Sequence, residues 1–318
     1  MQPRQAKGII LEELVKVFLA KQGFKVIDKQ TQGYYGLKEK NGILRLSGRG
    51  CSHQIDALGQ LLFPIPFVYP VRLLCEAKCL NKKVDLEVIR NFTGVMKDIS
   101  ENYFADKKSK QELIRFTDCG AIFSTSDFSL PAQQYAFAHG IHLLRVPDLK
   151  PAVDYIYQHI NPPINHKNIL EQTNRLIRNS QLISQNYYFG MAAGLYPITI
   201  VSNTPLNLNQ FFDTDTADMT ISAIKNDFGK IEYLEIHQNN WRGKIFISKH
   251  LFKKYFSKTN KLETLNSKVE LFSNIDIPII INSMRRIIKL NLDKNWVQIT
   301  KALLEQNPKS PVAGMIRD

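Results

Sequence analysis

The run Val71-Arg72-Leu73-Leu74-Cys75-Glu76-Ala77-Lys78-Cys79 constrains the fold more than any other segment. Apart from Arg72 its first half is apolar, which marks a strand covered on both faces inside a sheet. Strand alternation sends Glu76 and Lys78 to one face and the small Ala77 to the other. A carboxylate and an ammonium on a covered strand are costly unless they are paired or used. The chain therefore has to build a sheet around this strand and bring chemistry to its charged end.

The flanking segments supply that sheet. Residues 8–22 carry Ile10, Leu11, Leu14, Val15, Phe18 and Leu19 at the spacing of a helix laid on a core, and Gly23 is a suitable stop. A short strand at 24–27 follows, then a hairpin over 34–46 turning at Asn41-Gly42. Further strands are expected at 54–62 and 71–79, a helix at 84–100, a strand at 121–125, a helix at 131–139 and a strand at 141–146. The order implies an α/β fold, a mixed sheet with helices on both faces. Asn161-Pro162-Pro163 cannot continue a helix, so a linker is expected near 160–168, separating a domain at 1–160 from a second at 168–318.

Asp56 stands on the strand expected to neighbour Glu76 and Lys78, so two carboxylates and an amine can converge. Asp and Glu are the hard oxygen ligands that Mg²⁺ prefers, with Mn²⁺ as a substitute, and such an ion keeps waters and accepts phosphate oxygens. Lys78 could position a water or neutralise developing charge. This is equipment for phosphodiester hydrolysis, although charged residues two apart on a strand are often only its wet face.

The charge balance suits a polyanionic partner. Lys and Arg number 42 against 29 Asp and Glu, a formal net charge of +13 spread over both halves of the chain. No stretch reads as a membrane span or leader, and the four cysteines fit a reducing, cytoplasmic setting. Cys75 and Cys79 lack a matching second pair for zinc, and no phosphate-binding G-x-x-x-x-G-K-[ST] loop occurs.

Four segments resemble the PD-(D/E)xK nuclease superfamily, and within it the Mrr-like restriction endonucleases. Gly8-Ile9-Ile10-Leu11-Glu12 followed by Gln22-Gly23-Phe24-Lys25-Val26 is similar to the family's opening helix and first strand. Gly48-Arg49-Gly50-Cys51-Ser52-His53-Gln54-Ile55-Asp56 resembles its glycine-rich approach to the catalytic Asp, and Glu76-Ala77-Lys78 resembles its (D/E)xK element. Ala121-Ile122-Phe123-Ser124-Thr125-Ser126 through Gly140-Ile141-His142-Leu143-Leu144 resembles the closing β-α-β unit, so the likeness spans about residues 7 to 147. It implies a restriction-endonuclease-like sheet and a Mg²⁺-dependent endonuclease acting on DNA in a restriction or defence role. Asp56 and Glu76 would hold the metal with the Ala77 carbonyl, Lys78 would be the catalytic amine, and Glu12 an outer ligand or water-holder. The sequence departs from many relatives in carrying His53-Gln54 before the Asp.

Other residues have two readings each. Glu12 lies nearer the apolar stripe than Glu13, and is otherwise a solvated helix charge. Gln54 shares the face of Asp56 and could touch substrate or orient a ligand. His53, Arg49 between two glycines, Lys82, Lys83 and Arg90 are candidate DNA contacts, or else loop and surface residues. Strands are expected in the second domain at 196–201, 219–224, 231–237 and 241–248, with basic helices near 249–258 and 297–306, an α+β domain with an open role in recognition. Tyr187, Tyr188, Trp241 and Lys249, Lys253 and Lys254 could form a nucleic-acid surface, or the aromatics could be core. Two other functions fit the same residues: an inactive nucleic-acid-binding module, and a junction-resolving nuclease, which is expected to act as a homodimer.

Overall fold

The computed structural model describes residues 1–28, 36–40, 43–62, 65–102, 115–179, 186–192, 196–205, 219–225, 231–238, 241–246, 274–281 and 284–291. The chain divides into two compact units, 1–183 and 184–318.

The first unit opens with helix α1 (Pro3–Lys21), whose Ile10, Leu11, Leu14, Val15, Phe18 and Leu19 are all buried, as their spacing requires. Gly23 follows at φ 84°, a left-handed backbone that costs glycine little and lets the chain turn into β1 (Phe24–Val26). A small antiparallel sheet comes next: β2 (Leu37–Lys40), β3 (Ile43–Ser47) and β4 (Ser52–Gln54). Lys40 is registered opposite Ile43, the pairing the Asn41-Gly42 hairpin predicts.

The main sheet comprises β1, β5 (Ala57–Leu61), β6 (Val71–Lys78), β7 (Thr117–Ser124) and β8 (Ile141–Arg145), in the order β1-β5-β6-β7-β8. β5 is antiparallel to β1 and β6, whereas β6, β7 and β8 are mutually parallel. Parallel neighbours need crossovers, and two helices lie on them: the amphipathic α2 (Leu86–Ser100), capped by Asp85 accepting from the Val88 N–H, and the short α3 (Leu130–Ala138), capped by Ser129. The run Val71 to Lys78 is thus a central strand of a mixed α/β sheet flanked by helices. α1 lies against β1, β5 and β6; α2 packs on β7 and α3, and α3 on β8. Leu58, Leu74, Ile122 and Ile141 of the sheet share one core with Ile89, Phe92 and Ile99 of α2.

Arg72, the polar residue in the apolar run, is buried and answered by its register partner Asp118 on β7. Its Nε and Nη2 donate to the two carboxylate oxygens at 2.6 and 2.9 Å, a bidentate pair. Phe116 covers the guanidinium at 4.5 Å.

Two expectations are corrected. The strand expected over 54–62 is broken: β4 pairs with β3 in the small sheet, β5 joins the main sheet, and Ile55 and Asp56 form the joint. The division of the chain also falls after 160–168. Helix α4 (Leu149–Gln158), which the sequence reading did not include, and α5 (His166–Asn179) both pack on α1. α5 is polar on most of its surface, but it buries Ile169 and Thr173, and Asn174 donates to Glu13 Oε2 at 3.0 Å. Enough of it is apolar to belong to the first unit.

Among the described residues, the second unit contains an antiparallel sheet of seven strands: β9 (Asn186–Ala192), β10 (Tyr196–Ser202), β11 (Met219–Lys225), β12 (Ile231–Gln238), β13 (Trp241–Phe246), β14 (Asn274–Ile281) and β15 (Met284–Asn291). Their order is β11-β12-β13-β10-β9-β14-β15. Four of the seven were expected; the helices expected near 249–258 and 297–306, with Lys249, Lys253 and Lys254, lie outside the described residues. Trp241 and Tyr187 are buried, Trp241 donating its indole N–H to the Thr204 carbonyl at 3.2 Å, so these two rings are core. No helix among the described residues is long and apolar enough to cross a membrane.

Candidate acidic site at the joint of two sheets

The break before β5 creates the site. Ala57 is the first residue of β5 paired with β6, opposite Cys75, so the next N–H of β6 on that side, that of Ala77, has no strand partner. The Asp56 carboxylate takes its place, accepting the Ala77 N–H at 2.8 Å. One side chain thus replaces a ladder bond and sets a carboxylate beside Glu76 and Lys78.

On β6, Lys78 Nζ donates to Glu76 Oε1, as residues two apart on one strand face can. The end of β6 is held by the next strand: the Lys78 carbonyl accepts the Thr125 N–H, and the Thr125 hydroxyl meets both the N–H and the carbonyl of Leu80. Thr125 is therefore a positioning residue that the sequence reading did not assign; its place in the Ser124-Thr125-Ser126 run ending a buried strand was the available signal.

Glu12 comes from α1. Lys16 follows one turn later on the helix, and Glu12, Lys16, Gln54, Asp56 and Arg45 line one cavity of about 100 Å³, room for several waters or a hydrated ion. Gln54 and Asp56 share this cavity despite standing on either side of the strand break. Glu13 points elsewhere; it is buried against α5 and pairs with Lys16 at 2.5 Å.

The electrostatics follow from burial and crowding. Desolvation pushes the Glu12 carboxyl up to about 8, and the neighbouring Asp56 charge adds to it. Asp56 is pushed up to about 6, first by burial and then by Glu76, against the opposing pull of the Ala77 N–H and Lys78. Burial alone would lower Lys78, but the Glu76, Asp56 and Glu12 carboxylates outweigh it and hold the ammonium above the ordinary lysine value. Three carboxylates are thus held closer together than one lysine on the strand can compensate.

The expected DNA contacts do not all join this cluster. Arg49 is exposed and pairs with Glu101 at 3.1 Å. Arg90 is exposed on α2 and lies 5.7 Å from the Tyr135 ring centroid. Lys82 and Lys83 are exposed on the segment leaving the site end of β6. His53 is turned toward α2, where its Nε2 meets Asp98 Oδ2 at 2.7 Å. That hydrogen bond and the Gly50 N–H hold the Asp98 carboxyl below the usual range.

No family model and no curated protein matches the chain. Among solved structures, the chain is similar to the crystal structure of a protein of unknown function, AF1548, at 15% identity and a TM-score of 0.30, over 54% of this chain and 99% of that one. A likeness at that level carries no argument about fold or function.

Proposed function

We propose that the first unit is a Mg²⁺-dependent endonuclease of the PD-(D/E)xK type that hydrolyses DNA phosphodiester bonds. One observation carries the reading: the Asp56 carboxylate, bonded to the Ala77 N–H of the Glu76-Ala77-Lys78 strand, meets Glu76 and Lys78 at a broken strand, with Glu12 from α1 electrostatically joined to them.

The residues suit a divalent cation. Hard oxygen donors from Asp56 and Glu76, with Glu12 behind them, are what Mg²⁺ or Mn²⁺ takes, and their mutual repulsion is what such a charge relieves. The Ala77 carbonyl adds a backbone donor in this reading. When bound, the ion supplies Lewis-acid polarisation of a phosphate oxygen and acidifies a water.

The chain's own groups do the rest. Lys78, held as an ammonium, stands where it can neutralise charge building on the phosphoryl oxygens as the attacking water adds and the P–O bond to the leaving oxygen breaks. Glu12 and Gln54 line the cavity from which that water would come and can orient it. Lys82 and Lys83 lie where they can contact phosphates flanking the scissile one, consistent with the net charge of +13.

The test is cleavage of supercoiled plasmid, methylated and unmethylated, by the full chain with Mg²⁺, Mn²⁺ or EDTA. The expected result is metal-dependent nicking or linearisation that Glu76→Gln and Asp56→Asn lose while still shifting DNA on a gel. Cleavage retained by both variants refutes the site. A wild type that binds DNA but cleaves nothing with either metal refutes the enzyme and leaves a binding module.

A further inference from the structure

A second cluster lies outside the acidic site and does not rest on the nuclease reading. Cys51, His53 and Asp98 each offer one ligand atom, and the three atoms lie within 4.8 Å of one another. Cys51 immediately precedes β4 and His53 lies within it, two positions on, and Asp98 comes from the last turn of α2. Cys51 Sγ is 3.5 Å from His53 Nε2, and Asp98 Oδ2 is 2.7 Å from the same nitrogen.

The convergence on one nitrogen decides between two chemistries. A cysteine nucleophile activated by a His–Asp pair needs the thiol and the carboxylate on opposite ring nitrogens, so that a proton can pass through the imidazole. Here the shorter sulfur contact and the carboxylate both aim at Nε2, as ligands around a common point do. With Zn–S near 2.3 Å and Zn–N or Zn–O near 2.0 Å, tetrahedral ligands stand about 3.3 to 3.6 Å apart. The Cys–His separation already has that value, and the His–Asp contact needs to open by only about 0.5 Å.

The backbone holds Asp98 for this task. The Gly50 N–H donates to its Oδ1 at 2.8 Å and the Cys51 N–H to its Oδ2 at 3.4 Å, while the Arg49 N–H donates to the Asp98 carbonyl at 2.9 Å. The glycines make this approach feasible: a Cβ at Gly48 would lie 2.1 Å from Asp98 Oδ2, and one at Gly50 3.3 Å from Oδ1. The glycine-rich segment leading to Asp56 is thus shaped around this carboxylate, and such outer hydrogen bonds orient ligands before an ion arrives.

We propose that Cys51, His53 and Asp98 form a site for a borderline-soft divalent transition metal of the Zn²⁺ class, with its fourth position open to solvent. The thiolate and imidazole select against Mg²⁺ and Ca²⁺, so the site is chemically distinct from the all-oxygen cluster at Asp56. A bound ion would staple the segment that carries Asp56 into the sheet onto α2, and would take His53 away from any role against DNA.

The test titrates the reduced, metal-stripped full chain with Co²⁺ as a spectroscopic probe and Zn²⁺ as competitor. The expected result is a thiolate-to-Co²⁺ charge-transfer absorption, displaced by about one equivalent of Zn²⁺ and unaffected by excess Mg²⁺. That absorption disappears in Cys51→Ser, and His53→Ala weakens Zn²⁺ binding by more than about tenfold. Glu76→Gln leaves both unchanged even though it removes the acidic site, so the two proposals fail separately. An absorption that persists in Cys51→Ser, or Zn²⁺ that Mg²⁺ displaces, overturns the site. A second measurement needs no variant: Zn²⁺ should slow alkylation of Cys51 in the wild type, read by peptide mass spectrometry, and an unslowed rate overturns the proposal equally.

Discussion

Replacing Glu12 with glutamine should make the protein more stable at alkaline pH, which is the reverse of what deleting a buried polar contact normally does. The folded chain keeps the Glu12 proton up to about pH 8, whereas the ordinary value is 4.5. Between those values the folded state binds a proton that the unfolded chain has released, so wild-type stability falls as the pH rises through that window. Glutamine has the same shape and no proton to lose, so Glu12→Gln escapes the fall. At about 1.4 kcal/mol per pKa unit the whole change corresponds to about 5 kcal/mol. Part of it belongs jointly to Asp56, and water reaching the cavity screens the rest, which leaves about 1 to 2 kcal/mol. The gap between variant and wild type should therefore open by that amount from about pH 5 to pH 8.5, or about 2 to 8 °C in the melting transition of a unit this large. Urea denaturation of both proteins across that range measures it. Because Asp56 supplies part of the repulsion, Asp56→Asn and Glu12→Gln together should gain less than the sum of their separate effects. A gap that stays constant with pH, or one that closes as the pH rises, refutes the crowded-carboxylate reasoning.

Three further outcomes follow from the packing. Asp118→Ala leaves the Arg72 guanidinium buried without its bidentate partner and should cost about 3 to 5 kcal/mol in chemical denaturation; a loss below about 1 kcal/mol would show that water or another group reaches Arg72. Gly48→Ala places a methyl 2.1 Å from Asp98 Oδ2, so it should destabilise the fold by about 1 to 3 kcal/mol and lengthen the His53–Asp98 contact in a crystal structure; an unchanged contact and melting temperature would count against the close approach. Cys75 is fully buried and its thiol is pushed well above the ordinary value by burial and then by Asp56 and Glu76, so in the metal-free native protein iodoacetamide should label exposed Cys51 and spare Cys75 until denaturant is added. Early labelling of Cys75 would show that β6 opens.

Much of the first unit was legible because its signals are local. The stripe Ile10 to Leu19 dictates a helix by its own periodicity, Asn41-Gly42 sets the two-residue register of a hairpin, and the alternation of Glu76, Ala77 and Lys78 places the two charges on one strand face whatever surrounds them. The strand pair β14 and β15 is not among the expected strands; β14 carries Pro278, a residue that disfavours a strand interior, yet Pro278 pairs with Ile287 within the sheet. The linker read from Asn161-Pro162-Pro163 leaves most of α5 in the second domain, and only its packing on α1 shows that a few buried residues, Ile169 among them, suffice to attach it to the first unit.

The acidic site itself divides along the same line. That Glu76 and Lys78 stand together, and that an Asp lies on the preceding strand segment, were properties of the sequence, because neighbours along a strand keep their spacing in any fold that contains it. Two things belong to the tertiary structure, the strand break that turns Asp56 into a substitute for a backbone acceptor and the docking of α1 that brings Glu12 to Asp56, and so, outside that site, does the meeting of His53 with Asp98 across 45 positions of chain. Each joins residues distant in sequence through a contact that exists only once helices and strands have packed, and the raised pKa values of Glu12 and Asp56 exist only once that packing has excluded water.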